Sequence, residues 1–461
     1  GRETVLATNR LACDFEAGRT VGDAAPTEVV ARILLADRSV DVASRLTVRE
    51  AIPEPKVHLA AADQWDGVSP LDVRMVTENQ AAMKLPINVR WQADTFAVTQ
   101  EARGTSLHLR HAQRDGELVV RATVDNGGAP TVAEKKIYVK RPADLPHHER
   151  ETAPEERPQD HQFFGRGADG LGWLRYTGKV DRPGAKVTLT VTADGQPYRV
   201  ESATGGAYAF KVGLRPGFVR YHAKLTSELA GTSVTLHEAD DLVAGRAYLI
   251  AGQSNAVATD WGKGEATYRN DWIRTYGTTS TNPRDTGDWG AATHRAPGGK
   301  LAVGYWAMEL GRRLVESEQV PVCFINGAVG GTRIDQHQRN PADPTDGSTI
   351  YGRMLARVRA AHLTHEVEAI FWYQGENDQG ADGPSGGFGW ETYRRHFIDM
   401  AGAWKQDYPN VRHVHLFQIW PRSCAMGVGD SDNRLREVQR RLPEDFGWVH
   451  VMSTLGIRSE E

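Results

Sequence analysis

Cysteine is scarce in this chain: Cys13, Cys323 and Cys424 are the only three in 461 residues. Three cannot build a disulfide framework, and their spacing matches no zinc site. Cys323 sits in the apolar run Val320–Asn326 and reads as a buried strand thiol. Long apolar runs are missing too: none approaches the ~18 residues a membrane span needs. No Asn-X-Ser/Thr sequon occurs, and no low-complexity tract. Gly1-Arg2-Glu3 lacks the apolar core of a signal peptide. Nor is there an excess of one charge: 55 basic and 59 acidic residues leave a formal net charge of −4. That balance gives no reason to expect a nucleic-acid partner. Few cysteines fit a cytoplasmic protein, and equally a large secreted one whose core needs no staples.

What is present is a globular composition, 40% hydrophobic and 25% charged. At ~150 residues per domain the length predicts about three domains. The rhythm changes near residue 240. Before it, short strands alternate with turns. In Glu117–Gly128, Val120, Ala122 and Val124 alternate with Arg121, Thr123 and Asp125 before the Asn126-Gly127-Gly128 turn. Such spacing predicts an Ig-like β-sandwich over 54–142, preceded by a β-rich segment, 1–53, of uncertain boundary. Residues 143–162 are polar, charged and proline-rich and read as a linker. A second, smaller sandwich is expected over 163–240, with turns at Asp194-Gly195 and Gly205-Gly206. From 241 to 461 apolar strands (247–251, 320–326, 369–373, 414–420, 449–454) alternate with helical patterns (301–316, 351–362, 390–408, 433–442). Alternating β and α elements predict a parallel sheet covered on both faces, with ligands at the strands' carboxyl ends.

Three polar motifs fall at those ends. The first strand runs into Gly252-Gln253-Ser254-Asn255. A serine on a glycine turn after a buried strand can project its hydroxyl into a crevice and aim its N–H at a developing oxyanion. Serine is equally suited to cap a helix. The second strand ends in Asn326-Gly327-Ala328-Val329-Gly330-Gly331-Thr332. Its glycines can expose backbone donors or simply make a tight turn. The third ends in Trp372-Tyr373-Gln374-Gly375-Glu376-Asn377-Asp378. Polar groups packed straight after an apolar strand require partners if buried, and form a solvated loop if not.

Together the three motifs resemble the SGNH-hydrolase superfamily, in its sialate O-acetylesterase and acetylxylan-esterase-like branch. Leu435-Arg436-Glu437-Val438-Gln439 adds a weaker match. The resemblance covers roughly 241–461, and the small sandwich before it resembles one that often precedes this catalytic domain. It implies a multidomain chain of β-sandwich domains followed by an α/β three-layer, flavodoxin-like SGNH domain with a parallel sheet. It further implies a carbohydrate O-acetylesterase acting on acetylated sugars such as xylan, other hemicellulose or sialic acid, with no metal or organic cofactor. Such a substrate favours a secreted or periplasmic site.

Carried over residue by residue, the resemblance makes Ser254 the nucleophile. The oxyanion hole is then the Ser254 N–H, the N–H of Gly330 or Gly331, and the Gln374 amide, each donor worth about 2.7–4 kcal/mol of barrier. Glu376 is expected to orient the histidine base. Gln253, Asn255, Asn377 and Asp378 complete the substrate side. Trp261, Trp289 and Trp390, in polar loops beside the motifs, suit the faces of pyranose rings or plain loop packing. The family's Asp-x-x-His motif, which follows its last strand, has no counterpart before Glu461. Of the 16 histidines, His337 is the internal candidate for the base, with a surface or substrate contact the preferred role; His413, His415 and His450 read as strand-lining residues. The same departure keeps open a second class of function, a carbohydrate-binding or scaffold protein with an incomplete esterase domain.

Overall fold

The structure is a computed structural model that describes residues 5, 8–10, 12 and 27–455, except 47–51, 81, 83–85, 94–96, 144–146, 182, 259–268, 278–286, 295–300, 379–388 and 422–429. The chain divides into two compact units, 1–141 and 142–461.

The first unit holds a two-stranded hairpin, Thr27–Leu34 paired with Ser39–Leu46, and two four-stranded sheets. One sheet takes Val57–Ala60, Leu71–Thr77, Ser106–Ala112 and Ala97–Arg103; the other takes Gln64–Trp65, Thr131–Val139, Gly116–Asp125 and Asn88–Ala93. Alternation explains their inner faces. Leu118, Val120, Ala122 and Val124 point inward and meet Val73, Leu107 and Leu109 of the opposite sheet, all at most 1% exposed.

The second unit begins with residues that sequence alone reads as a linker. Instead of crossing open solvent, this strap is bonded down. Glu156 forms a bridge with Thr177, Thr177 Oγ1 donates to Ala153 O, and Arg150 pairs with Glu156 at 2.6 Å. His148 and Asn410 exchange two hydrogen bonds. A small sandwich follows, with Gly172–Lys179 against Ala207–Leu214 in one layer. Its other layer orders Gln196–Thr204, Lys186–Ala193, Tyr221–Leu229 and then β1, Thr232–Gly252. This last strand of 21 residues continues without interruption into the next sheet.

That sheet contains β1, β2 (Ile273–Tyr276), β3 (Trp289–Ala291), β4 (Val322–Asn326), β5 (Val367–Tyr373), β6 (His413–Phe417) and β7 (Val449–Met452). The spatial order is β3-β2-β4-β1-β5-β6-β7, parallel except for the β2–β3 pair. The helices are α1 (Ser254–Val257), α2 (Tyr305–Glu318), α3 (Ile350–Ala360), α4 (Trp390–Asp407) and α5 (Ser431–Asp445). Strand alternation assigns them to faces. Ala247, Leu249 and Ala251 share a core with α3, α4 and α5, whereas Tyr248 and Ile250 share one with α1 and α2. The parallel sheet is therefore covered on both sides, as its expected apolar strands require. β2 and β3 were not expected; each has at most four residues and so carries little periodicity.

The strand order reverses at β1. From β1 the chain passes to β2 and β3, returns to β4 beside β1, then crosses to β5 on the other side of β1 and builds outward through β6 and β7. Ligand crevices in open α/β sheets lie beyond the carboxyl ends of the strands at such a switch point. Ser254 begins two residues past Gly252, at that place. Among the described residues no helix is long and apolar enough to cross a membrane.

Candidate active site

The turn that presents Ser254 is stitched to both neighbouring strands. Gln253 N donates to Tyr373 O at the end of β5 (2.9 Å), and Val329 N beyond β4 donates to Gly252 O (2.9 Å). Gly252 has φ +135°, and a Cβ there would lie 2.0 Å from Tyr373 O. Only glycine fits that approach. Gln253, not Ser254, is the cap of α1, and no side chain caps the helix. Ser254 is the first residue of the turn and is exposed, while Gln253 is 2% exposed. The plain capping reading of the serine therefore fails. At this position its N–H has no partner within the helix and is free to face a ligand.

Asn326 holds the second motif against the first. Its buried amide donates to Ala256 O and Val303 O, both at 2.9 Å, and its Oδ1 accepts from Ala328 N. The loop then brings Gly330 so near the serine that a Cβ on Gly330 would lie 3.8 Å from Ser254 Cβ. Gly331, at φ +72°, is exposed with open space above it. Ser254 and Gly330 are thus brought together, with Gly331 next to them in the chain.

The third motif is a buried polar network rather than a solvated loop. Gln374 is 0% exposed, and its Nε2 lies 3.0 Å from Thr332 O, 2.5 Å from Asp378 Oδ2 and 3.3 Å from Gln253 Oε1. An amide nitrogen has two hydrogens, and these acceptors use both. The oxyanion donor expected of Gln374 is accordingly engaged inside the protein, which corrects that expectation. Asp378 also accepts from Ile334 N at 3.0 Å, and burial lifts its carboxyl to about 7 against the opposing pull of those N–H donors. Asn377 Oδ1 accepts from Gln253 Nε2 at 3.0 Å. Glu376 accepts from Asn255 Nδ2 at 2.5 Å, and burial raises its carboxyl above the ordinary range. Its second oxygen, Oε2, is buried without a partner among the described residues.

The remaining candidates separate. His337 is 3% exposed; its Nε2 meets Thr332 Oγ1 at 2.8 Å and its ring stands edge-on to Trp372. Burial depresses its imidazole to about 3, so it stays neutral and packed. It is neither a surface nor a substrate contact, and no described histidine is hydrogen-bonded to Ser254. Trp289 is also core, 6% exposed with its ring 5.0 Å from that of Tyr276, because its loop closes as β3. Trp390 opens α4 half-buried, and Trp261 lies outside the described residues. His413, His415 and His450 do line one sheet face, with His413 Nδ1 3.0 Å from His450 Nε2. Among the described residues no group of three or more His, Cys, Asp or Glu is arranged to hold a metal ion.

Some supports escaped the sequence reading. Trp306 Nε1 donates to Asn255 O at 2.9 Å and steadies the serine turn. Tyr393 Oη and Gln439 Nε2 both donate to Gln374 O, at 3.1 and 2.9 Å, while Ile419 N donates to Gln439 Oε1. Gln439 was visible only as the last letter of the weak 435–439 match; fully buried, it ties the ends of β5 and β6 together.

With this geometry in place, residues 244–418 match the family model described as carbohydrate esterase, sialic acid-specific acetylesterase. The match spans β1 through β6 and all three strand-end motifs, so the resemblance read from those motifs holds for this part of the chain. Among solved structures, the carbohydrate acetylesterase XAC1771 from Xanthomonas citri is 20% identical, with a TM-score of 0.44 over 65% of this chain and 68% of that one. A protein from Arabidopsis thaliana is 17% identical, with a TM-score of 0.36 over 47% of this chain and 88% of its own. A family two carbohydrate esterase from Clostridium thermocellum is 14% identical, with a TM-score of 0.26 over 63% and 82%. No curated protein matches.

Proposed function

We propose that this chain is a carbohydrate O-acetylesterase of SGNH type, in which Ser254 attacks the ester carbonyl and carries the acetyl group as an acyl-enzyme. The observation that carries this reading is the meeting of an exposed Ser254, on a strand-to-helix turn, with the Gly330 backbone at the switch point of the parallel sheet. The tetrahedral oxyanion is held by the Ser254 N–H and by the Gly330 or Gly331 N–H. Gln374 acts one step back: locked by Asp378 and Thr332, it fixes the loop carrying Glu376. The open oxygen of Glu376 is suited to accept the N–H of an imidazole that takes the serine proton. The leaving group is the sugar hydroxyl, which recovers that proton, and water then releases acetate. No metal or organic cofactor enters these steps.

The test is acetate release from an acetylated chromogenic ester by this 461-residue chain beside its Ser254→Ala variant. Activity in the first and a loss of at least ~10³-fold in the second supports this reading and requires one of the chain's own histidines to move to Ser254, since no described histidine is hydrogen-bonded to it in this structure. The burial of His337 favours a second reading, a glycan-binding protein with an incomplete esterase site. Absence of hydrolysis in both proteins, with retained glycan binding, selects that reading.

A further inference from the structure

α4 and α5 lie side by side, joined by Tyr393, in the first turn of α4, to Gln439 midway along α5, and by Phe397 against Phe446 at the end of α5. Above these contacts they leave a groove of about 570 Å³ facing solvent. That is within the roughly 300–1,000 Å³ of small-molecule sites. Trp390 lines it, with the Arg434 guanidinium 5.1 Å from the ring centroid. Below runs a two-pronged ion pair, Arg394 Nε to Asp445 Oδ2 at 2.7 Å and Nη2 to Oδ1 at 2.5 Å, with Asp445 only 6% exposed. Asn433 and Glu437 add polar atoms along the rim.

We infer that this groove is a saccharide subsite, distinct from the serine crevice, that takes an uncharged pyranose of an oligosaccharide chain. Arg434 lies over one face of the Trp390 indole, so the C–H side of the pyranose meets the part of this half-buried ring that stays exposed, and fixed guanidinium and carboxylate groups exchange hydrogen bonds with its hydroxyls. Charge selects the kind of sugar. The lining carries three guanidiniums (Arg394, Arg434, Arg441) and four carboxylates (Asp430, Glu437, Glu444, Asp445), so it has no positive surplus to attract an acidic sugar. The groove also communicates with the proposed active site by construction. Tyr393, three residues past Trp390, and Gln439, on the α5 wall, hold the carbonyl of Gln374. Both helices start on the side of the sheet where Ser254 stands, because each follows a parallel strand. A chain seated on Trp390 therefore lies at the same end of the sheet as the serine. The class of ligand rests on the carbohydrate reading of the Ser254 site; the groove itself does not.

The experiment is titration calorimetry of the whole chain with unacetylated xylohexaose, cellohexaose and mannohexaose, and with a sialic acid oligomer as the anionic probe. At least one neutral hexaose binds, Trp390→Ala weakens it tenfold or more, and Trp390→Phe stays within about threefold, a packing-neutral control. Asp445→Asn, which unpairs Arg394, weakens binding as well. Binding by none of the neutral oligomers, binding unchanged in Trp390→Ala, or preference for the anionic oligomer overturns the inference. Ser254→Ala binds like the parent chain. Failure of the esterase reading therefore appears as absent hydrolysis with binding intact, and failure of the groove as absent binding whatever the hydrolysis.

Discussion

The sandwich of 57–139 and the parallel sheet of the second unit bury opposite kinds of polar group. Among the described residues of the sandwich, Gln113 and Asn126 are the polar side chains that go inside, and Asn126 merely closes a turn by donating to Pro53 O and Ala82 O. The parallel sheet buries Gln253, Asn326, Gln374, Glu376, Asp378 and Gln439, all around the carboxyl ends of β1, β4, β5 and β6. Burying a polar group without a partner costs several kcal/mol, so each of these residues makes at least one hydrogen bond to another segment around the site, with Glu376 Oε2 and Gln374 Oε1 the atoms left over among the described residues. The sandwich is organised by apolar alternation alone; the sheet spends folding stability on a polar assembly at one end. That assembly marks where chemistry is placed.

Four measurements break or sharpen this contrast, from the largest effect down. Ser254→Ala lowers acetate release at least ~10³-fold but shifts unfolding by less than about 0.5 kcal/mol, since the side chain is exposed. A large stability loss there would mean that the serine is a structural cap after all. Leu118→Ala, at a fully buried sandwich position, does the reverse: about 2–5 kcal/mol of stability is lost while acetate release per folded molecule is unchanged. Urea unfolding and initial rates on the same sample separate the two.

Gln439→Leu affects both quantities. It strands Ile419 N and leaves Gln374 O with Tyr393 Oη alone, costing about 1–3 kcal/mol, and it lowers kcat with KM nearly unchanged because the residue touches no substrate. Gln439→Glu, which keeps the acceptor for Ile419 N, recovers part of kcat; equal damage from both substitutions would reduce Gln439 to a space filler. The smallest effect is in pH dependence. Asp378 has its carboxyl raised to about 7 by burial, so the folded chain holds a proton that the unfolded chain releases near 4. Stability contributed by the neutral acid is thus complete below about pH 4 and is lost as pH rises toward 7. Between pH 5 and 7, Asp378→Asn removes about 2 kcal/mol of that decline. Glu366, likewise raised to about 7 by burial, declines in the same direction in both proteins, so the difference isolates Asp378. Identical slopes in parent and variant would show Asp378 ionised throughout.

Much of this was legible in the chain. The strands expected at 247–251, 369–373 and 414–420 and the helices at 390–408 and 433–442 declare themselves by apolar run and 3.6-residue spacing, although the third strand ends early, at Phe417. The serine turn was legible because Gly252 must sit at φ +135° under Tyr373 O. What escaped is set by distance in sequence. Nothing near Trp289 says that it closes against Tyr276, nor that His337 turns inward to Thr332 and Trp372. Gln374 was expected to donate outward, but Asp378, four residues on, takes its amide first. A motif names the residue types at a strand end; which of them faces the crevice depends on neighbours contributed by other strands.

The strand Thr232–Gly252 serves both the small sandwich and the parallel sheet. Asp241, at φ +55°, and the register shifts against Tyr221–Leu229 bend it between its two halves. A minimal catalytic fragment cannot be cut out at a loop, because no loop lies between the two sheets. Truncation at 240 would split Tyr221 from Leu242 and Phe163–Gly165 from Val243–Gly245, leaving the start of the parallel-sheet strand without its partner on that side. Any attempt to graft the parallel-sheet domain onto a new host should therefore carry 147–455 as one cassette, with the small sandwich as part of its frame.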